Sequence, residues 1–126
     1  MRFLIMSKSN DYFEAGGLPS PALMQRMGEF MREAAVAGVL LQADGLLPSS
    51  YGARIVAHDG QISITDGPFA EAKEIVGGFA FIEARSLAEA REWGRRFAIA
   101  HDGGCEVEIR QVTGPRGPGD ATGDPN

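Results

Sequence analysis

Short apolar runs alternate with two longer stretches of helical periodicity. Arg2 to Ser7 is brief and apolar, the pattern of a strand. Lys8 to Ser20 carries Asn10-Asp11 and Gly16-Gly17 and reads as a loop, long enough to act as a lid. Ser20 before Pro21 is an N-cap followed by proline at the first helical position. Leu23, Met27, Phe30, Met31, Ala34 and Ala37 then recur at helical spacing up to Gly38, a helix stop. This predicts a helix over 21–37 with its methionines in the core and Met24 the most exposed of them. Val39 to Ala43 reads as a second strand, and 46–52, with Pro48-Ser49-Ser50, as a loop. Arg54 to Ala57 and Gln61 to Thr65 flank His58-Asp59-Gly60, where Asp-Gly is a hairpin signal. A charged turn begins at Asp66. Gly78 to Ala84, with Phe79 and Phe81, is another strand.

Ser86-Leu87-Ala88-Glu89 forms a capping box, and Leu87, Ala90, Trp93, Gly94, Phe97 and Ala98 follow one helical face to Ala100. Cys105 to Val112 alternates as a last strand. It puts Cys105, Val107 and Ile109 on one side and Glu106, Glu108 and Arg110 on the other. Residues 114–126 are rich in glycine and proline and predict a mobile tail, which leaves 1–113 as the folded domain.

The order strand, helix, strand, hairpin, strand, helix, strand is that of an α+β chain. It fits a ferredoxin-like βαβ(ββ)βαβ plan, with two helices on one face of an antiparallel sheet. Two helices cover one face only. Yet Phe3-Leu4, Phe79-Ala80 and Phe81-Ile82 send apolar side chains to both faces. The uncovered face needs a cover, and a second copy packed sheet to sheet about a two-fold axis supplies one, giving a homodimer.

Composition narrows the function classes. The formal net charge is −5, and no basic run is present to follow a nucleic-acid backbone. No apolar run is long enough for a membrane span, and the opening residues are too few for a signal peptide. A single cysteine, Cys105, fits a reducing cytoplasm.

The candidate chemistry centres on Thr65 to Glu74. Gly67 before Pro68 can cap a helix that starts at Pro68, with Glu71 and Glu74 in its first turns. Asp66 has two readings: it caps the turn through backbone N–H groups, or it faces a pocket and handles a proton. In the second reading Asp66 acts with Lys73 or Glu74, while Lys73, Glu108 and Arg110 set its charge or hold an anionic substrate. Glu108 and Arg110 form either a structural ion pair or a polar pocket lining. Tyr51, Arg54 and Tyr12 are further pocket or lid candidates. His58 falls in an exposed turn, and His101 near a helix end, where a protonated imidazole suits the dipole. Cys105 reads as a small buried apolar residue. Neither histidine has metal-ligand spacing, so no metal is expected, and no nucleotide or hydrolase fingerprint is present.

Asp66-Gly67-Pro68-Phe69-Ala70-Glu71, with Lys73-Glu74 and Gly78 after it, resembles the motif of the YCII-related, DGPF-type proteins. The opening strand, Ala15-Gly16 with Pro21, Gly38 to Leu41, Gly45 to Ser49, and Glu108-Ile109-Arg110 with Val112 resemble them too, over residues 1–113. Ala72, Ala98 and Gln111 depart from the usual threonine and two prolines. The resemblance implies a ferredoxin-like protomer that dimerises into an α/β barrel. It implies either a small-molecule pocket near the Asp66 turn, with proton transfer or elimination and no redox cofactor, or a non-catalytic binding or regulatory module. Some such proteins are associated with extracytoplasmic-function sigma factors. The His–Asp pair proposed in some relatives does not carry over, because the first helix holds no histidine.

Overall fold

The computed structural model describes residues 1–101 and 104–114. The chain runs β1 (Arg2–Lys8), α1 (Asp11–Glu14), α2 (Pro21–Val36), β2 (Leu40–Gly45), β3 (Ala53–His58), β4 (Gln61–Asp66), β5 (Val76–Glu83), α3 (Leu87–Ala100) and β6 (Val107–Gln111). The main sheet has the order β2-β5-β1-β6 with every neighbouring pair antiparallel. β3 and β4 form a separate two-stranded hairpin. The fold is thus α+β. Of the expected tail, residues 115–126 lie outside the described ones.

Alternation in β1 decides which face packs. Phe3, Ile5 and Ser7 are buried, while Arg2, Leu4, Met6 and Lys8 are only partly covered. β5 matches this with Gly78, Ala80 and Ile82 buried. Against that face α2 presents Phe30 and Ala34, and α3 presents Ala90, Trp93, Phe97 and Ala100. The Phe30 ring meets Trp93 edge-on at 6.1 Å and Phe97 at 5.2 Å, joining the two helices above the sheet. Gly94 lets α3 approach β6, since a Cβ there would stand 2.5 Å from Ile109 Cδ1. Large buried side chains of this kind each contribute about 1.5–3 kcal/mol relative to exposure.

Both long helices start where the caps predict. Ser20 Oγ accepts from the Leu23 N–H at 3.0 Å, and Ser86 Oγ from the Glu89 N–H at 3.1 Å.

Three expectations need correction. The loop over 8–20 contains a one-turn helix, α1, capped by Asn10 Oδ1 at 2.9 Å from the Phe13 N–H; one turn is too short to show periodicity. No α-helix starts at Pro68. The Gly67–Pro68 peptide is cis, and Glu71 takes a left-handed φ of 62° that stops helical propagation, leaving a 3-10 turn at Ala72–Glu74. Finally, β6 begins at Val107, so Cys105 lies off the strand and is half-buried rather than part of the core.

A cavity walled by the helices and the motif turn

The core stops short at one end of the sheet because the side chains there become small. Ser7 pairs in register with Gly78, and Gly78 with Gly45, on the face that holds Phe3, Ile5 and Ile82 further along. A Cβ at Gly45 would meet nothing within 4 Å. Above this floor is a cavity of about 530 Å³, within the range of small-molecule sites. Its roof is the first three turns of α2, with Leu23, Met24, Met27 and Met31, together with Phe97 and His101 at the end of α3. The segment after β1 (Phe13 to Pro19) and the segment after β2 (Leu46 to Pro48, with Tyr51) close the sides. The expectation that the α2 methionines serve only the core is therefore corrected. Met27 packs against the core and lines the cavity, while Met24 and Met31 are exposed and line it. The flexible thioether side chain suits such a wall.

A three-member hydrogen-bond node holds the cavity wall to the motif turn. The Glu14 carboxylate accepts from the Ser49 N–H at 2.9 Å and from the Ser49 hydroxyl at 2.6 Å. Ser49 Oγ in turn accepts from the Phe69 N–H at 2.9 Å. Glu14 lines the cavity, and Ser49 lies between Pro48 and Tyr51, which also do. Gly67 donates to Gly52 O at 3.0 Å, and any Cβ at Gly67 would overlap the Ser49 carbonyl oxygen. Arg54, at the base of the hairpin, lies over the Phe69 ring at 4.3 Å. Gly67, Phe69 and Arg54 thus fasten the turn to the Ser49 segment.

His101 stands in the cavity wall in surroundings that alter its titration. Its ring packs edge-on against Phe97 at 4.9 Å. Nδ1 lies 2.7 Å from the Phe97 carbonyl oxygen, which can only accept, so Nδ1 carries the proton. Burial lowers its pKa below 6.5, outweighing the carbonyl hydrogen bond that raises it. This desolvation disfavours the protonated imidazole that would complement the helix dipole. Outside the cavity, burial raises the Cys105 thiol above 9.0, so it is protonated near neutrality. Arg95 and Arg96 hold exposed Glu92 down to about 2, with the Arg95 hydrogen bond the largest cause.

The residues singled out from the sequence fall in three places. Tyr51 lines the cavity. Asp66, Arg54, Lys73 and Glu74 belong to the hairpin and the motif turn, all exposed and none among the cavity's lining residues. The Asp66 side chain makes no hydrogen bond or ion pair among the described residues, and its backbone pairs with Ala53. Glu108 and Arg110 lie on the opposite, open face of the sheet, where Glu108 pairs with Arg110 at 3.5 Å and with Lys8 at 3.6 Å. Tyr12 is exposed, and its hydroxyl donates to Leu18 O at 2.7 Å, folding the loop after β1 on itself. Sequence reasoning passed over Ser7, Glu14 and the cavity role of His101. Coincident small residues at the ends of three strands were the available signal.

The residues matched by the YCII-related domain family model are 1–113. The chain is also 32% identical, over 90 residues, to the uncharacterised protein R00369 of Rhizobium meliloti (strain 1021), a match covering 71% of this chain and 73% of that one. The chain belongs to the YCII-related domain family.

Proposed function

We propose that the protein binds a compact, largely apolar small molecule in the cavity between the sheet and the first three turns of α2, and does so as a homodimer. The cavity carries the first part: about 530 Å³ of space with a methionine-rich roof and a floor of glycine and serine. For acid–base chemistry this space offers His101, while Asp66 lies outside it. The motif turn then has an architectural role, holding the wall through Ser49 and Phe69.

The homodimer reading rests on two apolar surfaces left uncovered by one protomer. On the open face Leu4 and Met6 of β1 register with Phe81 and Phe79 of β5. Gln42 and Asp44 edge this patch on one side, and Glu108 and Arg110 on the other. On the hairpin Ile55 pairs with Ile64 and Ala57 with Ile62, so three isoleucines more than 60% exposed share one face. A lone two-stranded hairpin is marginal in water. The strand order β2-β5-β1-β6 suits a ferredoxin-like protomer, and pairing two open faces yields an α/β barrel.

A thermal-shift screen of a metabolite library, run on wild type and on Gly45→Leu, tests the binding site. Hits stabilise wild type and not the filled variant; hits that stabilise both equally overturn the assignment. Light scattering tests the dimer, and a protomer mass independent of concentration sinks it.

A further inference from the structure

Two polar side chains bordering the cavity, Ser7 and His101, offer hydrogen-bond acceptors. The Ser7 hydroxyl, 3% exposed, donates to the Gly78 carbonyl at 3.3 Å, which leaves its oxygen lone pairs as acceptors. His101 donates through Nδ1 to Phe97 O, so the neutral ring has its lone pair at Nε2. Nε2 has no hydrogen-bond partner among the described residues, and no side-chain nitrogen or oxygen there is buried without one. Nε2 is therefore not sealed within the protein, and the ring that carries it lines the cavity. The nearby charges are engaged elsewhere. Both Glu14 oxygens are held by Ser49, Lys8 pairs with Glu108, and Asp44 takes a hydrogen bond from Gln42 at 3.0 Å.

We infer that the ligand of this cavity is a neutral hydroxylated apolar molecule, a phenol, enol or alcohol, whose O–H donates to His101 Nε2 or to Ser7 Oγ. The inference rests on the cavity being the binding site. A carboxylate has no proton to give two acceptors and loses its hydration on entering an apolar chamber. A hydrocarbon of the same shape leaves the acceptors without a partner. Ser7 and His101 thus favour a ligand that donates over one that only accepts.

Three probes on one para-substituted propylbenzene frame, 4-propylphenol, 4-propylbenzoate and 4-propyltoluene, decide this by titration at pH 8, where the imidazole is neutral. Chemical-shift perturbation or calorimetry gives the affinities. The phenol binds wild type about tenfold more tightly than the hydrocarbon, as one hydrogen bond supplies, and the benzoate binds more weakly than the phenol. His101→Leu and Ser7→Ala are compared with wild type by circular dichroism to establish folding. At least one of them brings the phenol within about twofold of the hydrocarbon. Benzoate binding as tight as phenol, or a phenol preference unchanged in both folded variants, overturns the donor inference and leaves the cavity in place. Absence of binding by all three probes overturns the cavity as the site, and the inference with it.

Discussion

The carboxylate of Glu14 grips Ser49 twice, at the backbone N–H and at the hydroxyl, across 35 residues of chain. Through the Ser49 oxygen the same grip reaches Phe69. Removing either member strands the other in a partly buried place. Ser49→Ala is expected to lower stability by about 2 kcal/mol, the scale of a charge-assisted bond lost with its partner left behind. Glu14→Ala acts similarly, and the double variant costs less than the sum; denaturant titrations of a double-mutant cycle read the coupling.

Gly67 and Asp66 are neighbours with opposite sensitivities. Gly67→Ala drives a Cβ into the Ser49 carbonyl, a backbone group that cannot swing away. The cost is about 3 kcal/mol, at the upper end of overpacking effects. Asp66→Asn, on an exposed carboxylate outside the cavity, changes stability by less than about 0.5 kcal/mol and leaves ligand shifts intact. Urea midpoints and the thermal-shift hits measure both.

Gly45→Leu is expected to fold with a thermal midpoint close to wild type, because its Cβ enters open space. It abolishes the shifts given by cavity ligands. A steep fall in midpoint would show that the floor tolerates no side chain.

His101 imposes a pH dependence whose sign follows from its lowered pKa. Below 6.5, the unfolded value, the unfolded chain takes up the proton more readily than the folded one. The group's stabilisation is complete above 6.5 and declines as pH falls through that value towards the depressed folded one. Its surroundings are apolar (Phe97 from the same helix), and Glu14 and Lys8 are each paired elsewhere. Denaturation across this range has a shallower slope in His101→Gln than in wild type; equal slopes would refute the assignment.

Cys105 is expected to react slowly with thiol reagents at neutral pH, since burial keeps it protonated. Labelling with iodoacetamide keeps rising with pH through 9.0 instead of levelling off there, and faster labelling in urea locates the protection in the fold.

The long elements were legible because each carries several consistent signals. Ser20-Pro21 and Ser86-x-x-Glu89 mark helix starts, and the structure places caps there. His58-Asp59-Gly60 turns the hairpin, with Asp59 and Gly60 at positive φ. The motif turn was misread because its conformation is set by tertiary contacts. Local chemistry allows a helix at Pro68, but Ser49 and Arg54, both distant in sequence, claim the Phe69 N–H and ring. The cavity was hidden for a related reason. Leu23, Met27 and Met31 have the same spacing whether they face a core or an empty chamber. Only the register that aligns Ser7, Gly78 and Gly45 distinguishes the two. Asp66, the most prominent candidate in the sequence, lies beside the wall's anchor rather than in the chamber.

Every residue of the β3–β4 hairpin is exposed, and its base is tied down by Gly67 and Arg54. Such a segment is a separate opening unit whose amides exchange with solvent through local unfolding, while those of β1 and β5 wait for global unfolding. If partner association covers the isoleucine face, the hairpin's protection becomes a function of protein concentration. Hydrogen exchange at Val56 and Ser63, a hydrogen-bonded pair of the ladder, followed on dilution, would then report assembly from within a single chain.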